Sequence, residues 1–154
     1  MKVREVTAVI EAFAPLSLQE SYDNSGLIVG RPDDEVHKAL LAVDVTEEVL
    51  AEAVAEGCDM VITHHPIVFH PMKRFNSASV TERCVEEAIR RGIVLYAAHT
   101  NLDSAPQGMS WRALGLRRYA IAILLSLKLP VLPCVRVRVR RLSMWPEHRV
   151  RTSI

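Results

Sequence analysis

The sequence predicts an α/β fold, a mainly parallel sheet with helices on its faces, and three observations predict it. Short continuous apolar runs of strand length recur around Leu40, Val61 and Leu95. Segments of helix length separate them, and each carries start and stop signals at its ends. Parallel neighbours need crossovers of about a dozen residues or more, and the intervening segments supply that length.

Element by element, Val3, Val6, Val9, Ile10 and Phe13 recur at helical spacing and stop before Pro15, so the chain opens with an amphipathic helix. Residues 15–25 are polar and turn-like, and residues 27–30 form a short strand closed by a Pro-Asp-Asp turn. The run 39–43 is a strand. Thr46 then caps a helix whose first turn holds Glu47 and Glu48, where carboxylates suit the helix dipole, and Gly57 ends it. Residues 60–62 form a second buried strand that exits into Thr63-His64-His65-Pro66. Ser79 and Glu82 have capping-box spacing at the next helix, which Gly92 closes before a third strand at 93–97. That strand exits into His99-Thr100-Asn101-Leu102-Asp103.

The two units repeat: Gly57 precedes His64, and Gly92 precedes His99, by the same seven residues. Equal spacing delivers both histidines at one level, the carboxyl ends of the strands, where open α/β sheets bind their ligands. Asp44 sits at the exit of the first strand, either supporting a site from behind or capping the helix that follows.

Imidazole nitrogen and carboxylate oxygen together suit a divalent transition metal of the Zn, Fe or Mn type, and His64, His65, His99 and Asp103 supply both from two short loops. A carboxylate can bridge two ions, and Asp103 is the natural bridge. A single strand-end histidine is ordinarily a hydrogen-bonded surface group; the convergence of two loops sets these apart. For His37, His70 and His148 the ordinary surface role is expected. The chain holds no G-x-S-x-G elbow, no P-loop and no G-x-G-x-x-G fingerprint, which excludes the common serine hydrolase, P-loop NTPase and nicotinamide-enzyme patterns and leaves the catalytic residues unknown.

At 154 residues, with 49% hydrophobic and 24% charged residues, the composition is that of a globular protein with one main core. Cys58, Cys84 and Cys134 are odd in number and form no C-x-x-C pair, so a reducing cytoplasm is expected, with Cys58 and Cys84 as small core residues. The N-terminus runs directly into a charged amphipathic pattern rather than an export signal. The apolar stretch 119–135 is interrupted by Lys128, Pro130 and Pro133 and is too short to cross a bilayer.

Four segments, Tyr22-Asp23-Asn24-Ser25-Gly26-Leu27, Val43-Asp44-Val45-Thr46, Ile62-Thr63-His64-His65-Pro66 and His99-Thr100-Asn101-Leu102-Asp103, in this order and spacing, resemble the Nif-three-like family, whose members are also described as GTP cyclohydrolase I type 2 homologs. The resemblance runs over about residues 1–112. It implies an α/β fold, a ring-shaped homohexamer, two divalent metals per subunit, and metal-ligand positions at His64, His65 and Asp103, with the aspartate bridging and His99 lining the site. It further implies a metal-binding, hydrolase-like function that activates water toward a purine nucleotide; the alternative is a non-enzymatic metal-binding or regulatory interaction protein.

The family completes its metal site with a late His-x-x-x-Glu motif, which this chain lacks: its late histidine and acid are the adjacent Glu147 and His148. The fold is therefore expected to be incomplete relative to the family, and metal binding weak or limited to one ion. Residues 1–115 carry 10 Lys and Arg against 17 Asp and Glu, whereas residues 116–154 carry 9 against 1. The division expected is an N-terminal metal-site domain, 1–115, and a divergent basic tail, 116–154, arising from truncation or a frameshift. In that tail Val135, Val137 and Val139 alternate with Arg136, Arg138 and Arg140, a strand pattern with a basic face. With Tyr119 and Trp145 as its stacking groups, the tail is not expected to bind nucleic acid.

Overall fold

Alternation along each central strand decides the layers. In the computed structural model, which describes residues 1–105 and 136–139, Leu41, Ile62 and Tyr96 face one side of the sheet, and Leu40, Val61 and Leu95 face the other. Strands buried on both faces read as continuous apolar runs, which is why no polar alternation is visible in them.

The strands are β1 (Gly26–Val29), β2 (Lys38–Ala42), β3 (Met60–Thr63), β4 (Val94–Ala97) and β5 (Arg136–Val139), in the spatial order β1-β4-β3-β2-β5. The pairs β3–β4, β2–β3 and β2–β5 are parallel, and β1 runs antiparallel to β4 at one edge. The mainly parallel α/β sheet expected from the sequence is therefore present.

Helix α1 (Val3–Phe13) buries Val3, Val6 and Ile10 against the Leu41–Ile62–Tyr96 face. Helices α2 (Glu47–Ala55) and α3 (Val80–Arg91) cover the opposite face with Val49, Leu50, Ala53, Cys84 and Ala88. Both caps form as expected: Thr46 Oγ1 accepts from the Val49 amide at 3.2 Å, and Ser79 Oγ from the Glu82 amide at 3.1 Å. The Glu82 carboxylate reaches further back than a capping box requires, accepting from the Ala78 amide at 2.9 Å. Cys58 and Cys84 are both buried, and burial, the largest influence on it, pushes the Cys84 thiol up, away from the reactive thiolate.

Two segments expected to be irregular are helical. Residues Leu16–Leu18 form a 3-10 turn after Pro15, with Leu16 packed so closely on Gly26 that a Cβ there would meet its Cδ1 at 3.3 Å. Helix α4 (Thr100–Asp103) winds the exit of β4 into a single turn, anchored by Asn101, whose Nδ2 donates to the Ala14 carbonyl at 2.8 Å.

Strand β5 falls on the Val/Arg alternation and pairs in register with β2, Lys38 with Arg136 and Leu41 with Val139. The apolar stretch 119–135, the division at 115/116, Cys134, Trp145 and His148 lie outside the described residues. Among the described residues no helix is long and apolar enough to cross a membrane.

Candidate metal centre

Consecutive residues on a strand point to opposite faces, so His64 and His65 can share a site only if the chain bends after β3. It does: the Thr63 hydroxyl donates to the His65 carbonyl at 2.9 Å, and the His65 amide donates to the Val43 carbonyl at 3.0 Å. The two rings lie 4.8 Å apart, tilted by 49°. His99 emerges from β4, its amide donating to Asn101 Oδ1 at 2.9 Å, and its ring lies 5.1 Å from that of His64 and 5.5 Å from that of His65. The repeat offset of 35 residues differs by one from the pairing register, in which Thr63 faces Ala97. His64 is therefore level with Ala98, and His99 sits one residue further along.

Each imidazole is held through Nδ1. His64 Nδ1 donates to the Ala98 carbonyl at 2.9 Å, His65 Nδ1 to Asp44 Oδ1 at 2.7 Å, and His99 Nδ1 to Asp23 Oδ1 at 2.9 Å. A carbonyl and ionised carboxylates only accept, so the hydrogen is assigned to Nδ1 in all three rings. Nε2 is then the nitrogen each ring turns toward the site, the arrangement by which metal-bound histidines are oriented from behind.

The charges suit this. Burial, the largest influence, pushes His64 below its ordinary value and outweighs the upward pull of the Ala98 carbonyl and the Asp103 carboxylate, so the ring is neutral at neutral pH. Asp23, with a fully buried side chain, accepts from the Thr100 hydroxyl, the Thr100 amide, His99, the Ser25 hydroxyl and the Asn24 amide. Burial alone raises its carboxyl, but these bonds prevail and hold it well below the usual carboxylate range.

Ligand atoms of His64, His65 and His99 lie within 4.8 Å of one another. Nitrogens each about 2.0–2.1 Å from one tetrahedral ion lie about 3.4 Å apart, so the rings would draw together by up to about 1.4 Å to share an ion. Three imidazoles, each with its Nδ1 engaged from behind, fit a divalent transition metal. Asp103, on α4, stands outside this set but near enough for its charge to act on His64.

The sequence matches Duf34/NIF3 (NGG1p interacting factor 3) over residues 1–120. The chain belongs to the Duf34/NIF3 family. Among the family's curated proteins it is 39% identical over 110 residues to the GTP cyclohydrolase 1 type 2 homolog of Clostridium acetobutylicum, covering 71% of this chain and 41% of that one. It is also 39% identical over 118 residues to NIF3-like protein 1 of Rattus norvegicus, covering 75% of this chain and 31% of the relative. Of solved structures, the Bacillus cereus protein related to NIF3 superposes with a TM-score of 0.68 at 36% identity, over 77% of this chain and 33% of that one. The chain thus spans well under half the length of these Duf34/NIF3 relatives.

Of the residues singled out in the sequence, His64, His65 and His99 meet, and Asp44 takes the supporting role, since Thr46 rather than Asp44 caps α2. His37 lies at the opposite end of β2, beside Asp59 at 3.3 Å, and His70 packs edge-on against Phe69. Asp23 was visible only as part of the Tyr22–Leu27 family motif. Its signal is a run of small acceptors, Asp23, Asn24 and Ser25, which marks a hydrogen-bonding loop without saying what it holds.

Proposed function

We propose that this chain carries the divalent metal site of a hydrolase-like protein, held by His64, His65 and His99 with Asp103 beside them, and that its substrate class is a purine nucleotide. The observation that carries the reading is the meeting of three imidazoles, each engaged through Nδ1, at the ends of neighbouring parallel strands. The name GTP cyclohydrolase 1 type 2 homolog, borne by the Clostridium relative, supports the nucleotide. An ion of the Zn, Fe or Mn type supplies Lewis acidity and makes water a competent nucleophile near neutral pH.

The chain's own groups do the rest. Ala98, Asp44 and Asp23 fix the three rings, and burial keeps His64 neutral and able to coordinate. Asp103 adds negative charge next to His64, as a ligand that joins the histidines or bridges two ions would. A homohexamer, implied by the family resemblance, and a cytoplasmic location, suited to the cysteine pattern, belong to the same proposal.

Release of product from GTP by the metal-restored full chain, compared with His64→Ala, tests it. Metal and turnover lost together in the variant are expected. Turnover that persists without metal overturns the role given to the metal site, and metal retained by a wild type with no turnover favours a non-enzymatic metal-binding role.

A further inference from the structure

Beside the histidines stand two aromatic rings that the core does not use. Tyr22 is 64% exposed and Phe69 38% exposed. Their centroids are 6.4 Å apart with a tilt of 53°, and the Phe69 ring stands edge-on to His99 at 6.3 Å. A ring left in water forgoes the burial that aromatic side chains ordinarily supply. Here two such rings are held side by side, because Asn24 Nδ2 donates to the Val68 carbonyl at 2.7 Å and ties the loop bearing Tyr22 to the loop bearing Phe69. The neighbouring bond from His99 to Asp23 ties that same loop to the histidine cluster.

We propose that Tyr22 and Phe69 form a stacking platform that receives a flat heteroaromatic ring at the edge of the histidine cluster, with the ligand's polar group reaching the imidazoles. This rests on the reading of His64, His65 and His99 as the working site and adds the part that selects the ligand. A ring inserted between two others needs about 7 Å from face to face, twice an ordinary carbon–carbon contact of about 3.5 Å. The tilted pair at 6.4 Å does not offer that slot. The ligand ring therefore lies on the open face of Tyr22, with Phe69 as the side wall between it and His99. The platform accepts any flat base, since stacking is tolerant of base identity, and it discriminates against ligands that have the phosphates alone.

Binding of GTP, ATP and inorganic tripolyphosphate to the full chain by calorimetry, in wild type, Tyr22→Ala, Tyr22→Phe and Phe69→Ala, tests this, with metal content measured on the same samples. Tyr22→Ala is expected to weaken GTP and ATP about tenfold, to leave tripolyphosphate and metal content unchanged, and to be rescued by Tyr22→Phe. Nucleotide affinity unaltered by both alanine variants, an equal loss for tripolyphosphate, or a wild type that binds neither nucleotide overturns the platform. The metal reading fails separately: a metal-free wild type that still binds nucleotides through Tyr22 refutes the metal site and keeps the platform.

Discussion

Asp23 and His99, 76 positions apart in sequence, are joined by a 2.9 Å hydrogen bond from His99 Nδ1 to a carboxylate whose side chain is fully buried. The bond couples folding to the site. The carboxylate that orients His99 also ties down the first residue of α4 through the Thr100 hydroxyl and amide.

Asp23→Asn keeps the shape but turns one acceptor into a donor facing donors. It is expected to destabilise the fold by about 2 kcal/mol at pH 7, read by urea unfolding. The folded carboxyl titrates below its unfolded value, so its stabilisation is complete above the unfolded pKa of about 3.9 and is lost as pH falls toward the lower folded one. The gap between wild type and variant therefore narrows as pH drops below about 4; a gap that widens there contradicts the assignment.

Asp44 and His65 are about half exposed, so their pair contributes little to stability even at 2.7 Å. Its role is orientation. Asp44→Ala is expected to weaken metal binding about 10- to 100-fold in a metal titration while leaving the melting temperature nearly unchanged. An unaltered metal affinity removes Asp44 from the site.

Gly30 adopts φ +108°, and a Cβ placed there meets Val94 Cγ2 at 2.9 Å. Gly30→Ala combines strained backbone with a clash against the start of β4, and a loss of about 2–4 kcal/mol is expected in chemical denaturation. A neutral effect means that the turn after β1 departs from the packing described.

Much of the architecture was legible because it is local. Thr46, Ser79 and Gly92 announce helix ends through bonds made within a few residues, and buried strands announce themselves as apolar runs. The equal Gly-to-His spacing placed His64 and His99 at the same sheet edge to within one residue. Two features were not legible. The turn of α4 depends on Asn101 reaching Ala14, 87 positions away, and no local propensity records such a contact. Asp23 orients His99 across a similar distance, so its role emerges only when the loop folds back on β4. Asp44 was ambiguous for a different reason: a strand-end aspartate fits capping and orientation equally well until the position of His65 is known.

The most direct measurement is metal per chain by elemental analysis of the 154-residue chain, comparing wild type with His64→Ala, His65→Ala, His99→Ala and Asp103→Ala after exposure to the same divalent ions. Expected are about one or two equivalents in folded wild type, lost in each histidine variant and reduced or lost in Asp103→Ala. A folded wild type that binds no metal, or histidine variants that bind as much as wild type, contradicts a metal centre at this sheet edge.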